Sequence, residues 1–555
     1  MTRLTTRCLL AAKVLPITLG LLTMPLSAAD YDPAKRVPHA VFTGEPTKRV
    51  AIESLKSSFS LRKQALPSAL HLGELSETEQ QRLEQAPLNN GRKAVVGIQR
   101  STADFPLRYT ASDLTWETHK EGETAILGIT SSGAASLRVN IDLSTLPQGT
   151  EVRFYDESFY KPVGTSIRVS KDQAINHWSD SIEGDFVGIE LFIPSNAPKN
   201  DFTFVINKVM HQLISKETAS LKNNAAIGAS GSCQIDVKCA SESASNFSNL
   251  TSSVAKIVFI DDGFSYSCTG TLMNDADTSS EIPYFLTANH CVDSQTVANT
   301  LEFYWFFEKS TCSTSTANNT LYTAGGASLL KADKDYDYSF LKLNRTPPAG
   351  VSLSGWDANT IGSAGVYGIH HPSGDLKKYS SGLTYSFYDS FYGNKSNTHI
   401  LVDWSLGVTE TGSSGSGLWY RDGGSSYLVG ILTGGSSACS TTQGIDLYGR
   451  FDQSYPALKG WLNNTNSSPA PTLGNITIKG QVVVAGTSIP VCGLVLANGT
   501  HLFSCNQGNY EITAPVDSEG KITLFAWADG FFPYKLVFTP NSSSTTQRIE
   551  MQRAP

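Results

Sequence analysis

Residues 409–420 read T-E-T-G-S-S-G-S-G-L-W-Y, three serines set among glycines and running into an apolar strand. A serine in such company can serve as a nucleophile. Small neighbours let a carbonyl approach its hydroxyl and leave main-chain N–H groups free to face a developing oxyanion. Gly/Ser runs are also ordinary loop sequence, so the stretch gains its meaning from two others upstream. Residues 283–291, P-Y-F-L-T-A-N-H-C, form an aromatic-apolar strand that ends in His290 beside Cys291. Residues 335–343, D-Y-D-Y-S-F-L-K-L, carry an aspartate into an apolar strand, where a buried carboxylate needs a donor such as an imidazole N–H. The order along the chain is therefore His, Asp, Ser.

Rival readings of these stretches fail on spacing. An α/β-hydrolase elbow needs G-x-S-x-G, but Ser416 stands where the last glycine belongs, and that class runs Ser, Asp, His. Asp333, Asp335 and Asp337 alternate like the start of a calcium loop. Yet Tyr338 takes the place of the required glycine and Asn344 that of the closing glutamate. Asp337, set against Phe340-Leu341, is the best-placed of the three. No two cysteines have the close spacing of a zinc site and H-E-x-x-H is absent, so neither a metal nor any other cofactor is expected. His370-His371 reads as structural, because neighbours on a strand point to opposite faces.

With 555 residues the chain exceeds one core. Charged residues make up only 17% and the net charge is −7, with no polybasic run, which argues against nucleic acid. Residues 1–29 have the form of a secretory signal: Arg3 and Arg7, an apolar run, then Ser27-Ala28-Ala29. Lys13 and Pro16 interrupt that run, and no later segment reads as a membrane span. Without Cys8 eight cysteines remain, an even count that predicts four disulfides in an exported product. Cys268 and Cys291 would close a loop of some two dozen residues and fix the backbone of His290, a constraint that stabilises by about 3 kcal/mol.

Residues 30–222 have no cysteine and alternate in strand fashion at 136–143 and 186–193, which predicts a β-sandwich. A short helix is expected over 76–86, with Ser76 and Glu79 at capping-box spacing. No catalytic constellation is visible there. The reading is a pro-region that assists folding of the next domain and blocks its cleft. Residues 215–232 are small and polar, an accessible place for a cut. Residues 223–462 are strands and Gly/Ser turns. Residues 463–474 form a linker, and 475–555 an alternating β-sandwich module with Cys492 and Cys505 joined. Phe531, Phe532 and Tyr534 of that module are either core or a site for secretion machinery or a surface.

Taken together, G-A-S-G-S-C-Q-I-D-V-K-C, Y-F-L-T-A-N-H-C, D-Y-S-F-L-K-L, G-I-H-H-P-S-G, V-T-E-T-G-S-S-G-S-G and I-D-L-Y-G-R resemble the lysyl endopeptidase group of secreted bacterial serine proteases. The resemblance spans about residues 228–455. It implies a mainly β chain: a chymotrypsin-like double β-barrel flanked by the β-rich pro-region and the C-terminal module. It implies Ser414 as nucleophile, with Ser413 and Ser416 as rivals, His290 as general base and Asp337 as its orienting acid. The N–H groups of Gly412 and Ser414 would form the oxyanion hole. It implies the pairs Cys233–Cys439, Cys239–Cys312 and Cys268–Cys291. It places an acid, Asp446, on the pocket floor, with Gly434 and Gly435 at its edge. Protein substrates would be cut after Lys, with Arg the alternative. Thr433 and Phe391 stand where relatives can carry a histidine and a tryptophan, which leaves the choice between Lys and Arg open.

A trypsin-type zymogen ion pair needs an acid just before the nucleophile, and Ser413 occupies that place. Activation is therefore expected by release of the pro-region, with self-cleavage after Lys222. The other class open to this sequence is a catalytically silent, secreted adhesion protein that keeps the barrel.

Overall fold

In the computed structural model the described residues are 31–42, 69–89, 92–214, 229–463 and 475–553. The excepted gaps are 102–104, 159–161, 171–175, 198–201, 278–279, 315–316, 319, 391–394, 442–443, 498–499, 516–521, 529, 533 and 539–543. The signal-like segment, Lys222, Phe391 and nearly all of the linker lie outside them.

The N-terminal unit packs two sheets over one apolar core. The first sheet runs Val163–Arg168, Glu151–Tyr155, Phe186–Pro194, Gly122–Ser131, Ala69–Leu72. The second contains Ser136–Asp142, Thr203–Gln212 and Ala94–Gln99. Leu127, Ile129, Val139, Ile141, Val187, Ile189, Leu191 and Phe204 fill the space between them. The expected alternation of buried and exposed residues along Phe186–Pro194 is not what forms: both faces are covered. Its polar residue Glu190 is enclosed with Arg153 at 2.7 Å through Oε1, and Arg153 also holds Glu151 at 2.7 Å, while Glu190 Oε2 is buried without a partner. The helix forms over Glu77–Asn89. Ser76 N–H donates to Glu79 Oε2 (2.9 Å) and Glu79 N–H to Ser76 Oγ (3.3 Å), the reciprocal cap that the spacing predicts.

The strand Ala94–Gln99 joins this unit to the rest of the molecule. On one side it pairs with Thr203–Gln212 and on the other with Phe264–Met273, so one continuous sheet crosses from the N-terminal unit into the first barrel. Residues 31–42 clasp the second barrel in the same manner. Arg36–Val37 pairs with Trp356–Asp357, and Arg36 bonds Asp357 and Asp422, both at 2.5 Å.

In the first barrel the sheet order is Ala327–Asp333, Tyr338–Leu343, Tyr284–Thr287, Phe264–Met273, Val254–Asp261, Glu302–Trp305, Leu321–Thr323. Ile257, Phe285, Phe303, Trp305 and Leu341 lie inside it. The second closes into a ring: Ala364–His370, Lys378–Tyr388, His399–Leu406, Ile445–Arg450, Ser425–Gly435 and Gly417–Asp422, which returns to Ala364–His370. Helix Phe451–Leu462 then packs Phe451, Tyr455 and Leu458 under both barrels.

The bonds Cys233–Cys439, Cys239–Cys312, Cys268–Cys291 and Cys492–Cys505 are all formed. In the C-terminal module two four-stranded sheets enclose Ile478, Val482, Val495, Ile512 and Leu524. Phe531 and Tyr534 pack against this core, whereas Phe532 is exposed, as are Phe503 and Trp527. No helix among the described residues is long and apolar enough to cross a membrane.

Candidate active site

The strand Tyr284–Thr287 delivers the chain to His290, and the Cys268–Cys291 bond ties the next residue to the neighbouring strand Phe264–Met273. Asp337 grips His290 twice. The His290 backbone N–H donates to Oδ1 (2.9 Å), and Nδ1 lies 2.7 Å from Oδ2. A carboxylate can only accept, so Nδ1 carries the proton and Nε2 is left as the basic nitrogen. Asp337 is fully buried and has a positive φ of 51°, a backbone state that aspartate tolerates better than most residues. Of its neighbours, Asp335 pairs with Lys395 (3.1 Å) and Asp333 accepts the Asp335 backbone N–H (2.8 Å). Asp337 alone of the three is bonded to the histidine.

Ser414 stands on a turn that needs its glycines. At Gly415 (φ +82°) a Cβ would come within 2.2 Å of Thr287 Oγ1. At Gly412 (φ +88°) a Cβ would meet His371 O and Gly374 N at 3.0 Å. Thr269 N–H donates to Ser414 O (2.9 Å) and Thr269 Oγ1 to Gly412 O (2.9 Å), pinning the turn to the first barrel. The Ser414 carbonyl lies 3.9 Å from Cys291 Sγ, next in sequence to His290. The other serines are engaged elsewhere or enclosed. Ser413 Oγ lies 2.8 Å from His370 Nδ1, and Ser416 is fully buried. His370 also contacts Ser380 Oγ (2.9 Å), and burial lowers its pKa to about 3. His371 turns the other way, to Asp375 O (2.9 Å), and stacks on Phe307.

A residue of the N-terminal unit reaches this turn. The Arg92 carbonyl oxygen accepts from Gly412 N–H and from Ser414 Oγ, each at 3.0 Å. The Ser414 hydroxyl is therefore directed at that carbonyl rather than at the imidazole, and His290 Nε2 is buried without a hydrogen-bond partner. A hydroxyl rotor turns to whichever acceptor is presented, and here Arg92 presents one.

Asp446, on the strand Ile445–Arg450, is fully buried. Its Oδ2 accepts from Trp404 Nε1 (2.6 Å), Thr409 Oγ1 (2.7 Å) and Ser437 Oγ (2.7 Å), while Oδ1 has no partner. Burial pushes the Asp446 carboxyl above the usual carboxylate range, and the three donors oppose that push. A Cβ on Gly435 would sit 2.4 Å from Asp446 Oδ1, and one on Gly434 (φ +139°) 3.2 Å from Arg92 Cδ. A side chain at either position would force its neighbours to move. The Thr433 hydroxyl bonds His399 Nε2 (3.0 Å), and burial lowers the His399 pKa to about 4.

Sequence reasoning missed Arg92 and the trio Trp404, Thr409 and Ser437. Arg92-Lys93 is a basic pair directly before the apolar run A-V-V-G-I, a signal that could have flagged it. The three donors carry none. Among the described residues one metal-like cluster occurs, Cys268, His290 and Cys291, and its two sulfurs are spent on a disulfide.

The chain matches the family description "Lysyl endopeptidase, C-terminal domain" over residues 227–449 and "Lysyl endopeptidase N-terminal domain" over 70–213. It is 38% identical to lysyl endopeptidase of Pseudomonas aeruginosa over 377 residues, 65% of this chain and 79% of that protein. Among solved structures, a thermostable serine protease AL20 from an extremophilic microorganism aligns with TM-score 0.28 and 13% identity, over 39% of this chain and 99% of that one. The Rv3671c protease of M. tuberculosis aligns with TM-score 0.25 and 17% identity, over 40% and 85%. The sequence matches define a serine endopeptidase. The matches cover both the barrels and the N-terminal unit that docks on them. The chain belongs to the lysyl endopeptidase family.

Proposed function

We propose that the protein is a secreted serine endopeptidase that cuts after lysine, with arginine also accepted, and is made as a zymogen. The observation that carries this reading is convergence. Ser414 Oγ and Gly412 N–H meet at one carbonyl oxygen, at 3.0 Å each, with His290 oriented by Asp337 at 2.7 Å and Asp446 buried on the strand Ile445–Arg450.

In the proposed mechanism Ser414 Oγ attacks the scissile carbonyl carbon while His290 Nε2 takes its proton. Asp337 keeps Nδ1 protonated and stabilises the imidazolium. Gly412 N–H and Ser414 N–H hold the oxyanion. The proton passes to the leaving amine, and water then releases the acid from the ester. Asp446, buried with one oxygen unpartnered, selects a cationic side chain, because a buried charge left unpaired costs about 2–5 kcal/mol. Secretion rests on the signal-like residues 1–29 and on four disulfides, which persist in oxidising compartments. Maturation is proposed after Lys222, and the C-terminal module, with Phe503 and Trp527 exposed, to contact secretion machinery or a surface.

The test is fluorophosphonate labelling of mature protein, with Ser414→Ala as control, joined to mass mapping of peptides cut from a denatured protein mixture. Label on Ser414 and cuts after basic residues are expected. Mature protein that takes no label would leave the silent adhesion protein as the reading.

A further inference from the structure

The segment that occupies the catalytic centre has the placement of a substrate on both sides of one peptide bond. On the acyl side, the Arg92 carbonyl oxygen is bound by Gly412 N–H and Ser414 Oγ, each at 3.0 Å. The aliphatic stem of Arg92 runs against Gly434, where a Cβ would meet Cδ at 3.2 Å and Cγ at 3.6 Å, one residue from Gly435, which pairs with Asp446. On the amine side, the chain continues as the strand Ala94–Gln99 along Phe264–Met273, with Ala94 opposite Ser267 and Val95 opposite Tyr266, next to Cys268. Lys93 is anchored as well. Its Nζ bonds Asp261 at 2.7 Å and lies over the Tyr266 ring at 4.5 Å.

We propose that Arg92–Lys93 is a processing site for the enzyme's own catalytic centre, cut within the same chain, and that its seating holds the enzyme shut beforehand. The inference rests on the serine-endopeptidase reading above. A chance surface contact would not orient a carbonyl into a backbone N–H beside the nucleophile while its side-chain stem packs against Gly434 and the next residues extend a sheet. The chemistry balances without a further reagent. Ser414 Oγ bonds to the Arg92 carbonyl carbon, the bond from that carbon to Lys93 N breaks, and the serine proton passes through His290 Nε2 to the departing Lys93 amine. Water then adds to the ester, giving an Arg92 carboxylate and restoring the hydroxyl.

The departing amine does not diffuse away, because Ala94–Gln99 stays paired to Phe264–Met273 and Thr203–Gln212. A nucleophile held in place competes with water for the ester, so re-formation of the bond slows the cut and prolongs the shut state.

The experiment uses full-length protein as wild type, Arg92→Lys, Arg92→Gln and Ser414→Ala, followed by intact mass, amino-terminal sequencing and fluorophosphonate labelling against time. Wild type and Arg92→Lys are expected to yield an amino terminus at Lys93 at a rate independent of dilution. Arg92→Gln is expected to do so at least about 100-fold more slowly, and Ser414→Ala not at all. Before any cut, full-length wild type is expected to label at least about 10-fold more slowly than mature enzyme, and Arg92→Gln faster than wild type. Mature enzyme that labels, together with full-length protein that labels equally fast or never opens at Lys93, would overturn the proposal while leaving the protease reading standing. Mature enzyme that does not label at all removes both. Wild type and Ser414→Ala decide the matter even should Arg92→Gln fail to fold.

Discussion

Trp404 Nε1 donates to Asp446 Oδ2 across 2.6 Å, so an aromatic side chain from the strand His399–Leu406 holds the acid on Ile445–Arg450 in place. Thr409 and Ser437 complete the set on the same oxygen, which leaves Oδ1 as the one acceptor without a partner. Catalytic use and stability pull against each other at such a residue.

Asp446→Asn is expected to lower kcat/KM on lysyl and arginyl substrates by about 30-fold or more, the low end of what an unpaired buried charge costs. Burial raises the Asp446 pKa, so the folded protein holds the proton more tightly than the unfolded chain. Its charge therefore destabilises the fold above the ordinary value of 3.8, and that cost fades as pH falls through the raised folded value. Mature Asp446→Asn should melt at or above wild type at pH 7, with the gap closing toward pH 4. Calorimetry of mature enzyme at the two pH values checks this.

Trp404→Phe removes one donor to the carboxylate and keeps most of the ring. A lost hydrogen bond to a charged group costs about 1.5–3 kcal/mol, so the Asp446 pKa should rise further. Affinity for a cationic amidine should then fall at a higher pH than in wild type, read by titration calorimetry across pH 4–8.

Gly412→Ala places a Cβ 3.0 Å from His371 O at a φ of +88°. The turn must shift, and with it the N–H that binds the carbonyl. A loss of about 100-fold or more in kcat is expected, with KM little changed and melting lowered modestly, by steady-state kinetics and thermal denaturation.

Replacing Cys268 and Cys291 by alanine opens a loop of 23 residues. Stability should fall by about 3 kcal/mol, measured by denaturant titration. Because Cys291 adjoins His290, kcat should fall more than KM rises.

Lys256 lies wholly buried with Nζ over the Phe307 ring at 4.2 Å and bonded to Gly374 O at 3.2 Å. Burial lowers its pKa to about 7. A lysine whose folded pKa is depressed costs stability at pH below that value, and the cost shrinks as pH rises from 7 toward the ordinary 10.5. Lys256→Met should therefore gain more over wild type at pH 6 than at pH 9 by thermal melting.

The reciprocal Ser76–Glu79 cap, the closed alternating strands and the four cysteine pairs were all legible as local pattern or through the family resemblance. Coverage of both faces of Phe186–Pro194 was not, since what covers the second face comes from elsewhere in the chain. Nor were Trp404, Thr409 and Ser437 legible as a group, because hydroxyls and indoles occur everywhere and acquire a role only opposite a particular carboxylate.

Read alone, the amino acids determined that strands dominate, that His, Asp and Ser stretches follow in that order, and that glycine must flank Ser414, since each follows from residue type and near neighbours. Only the tertiary structure decided that Arg92 reaches Ser414 and Gly412, more than three hundred positions downstream. A strand's partner is chosen by shape and edge hydrogen bonds distributed over the whole fold, and no short window of sequence contains them.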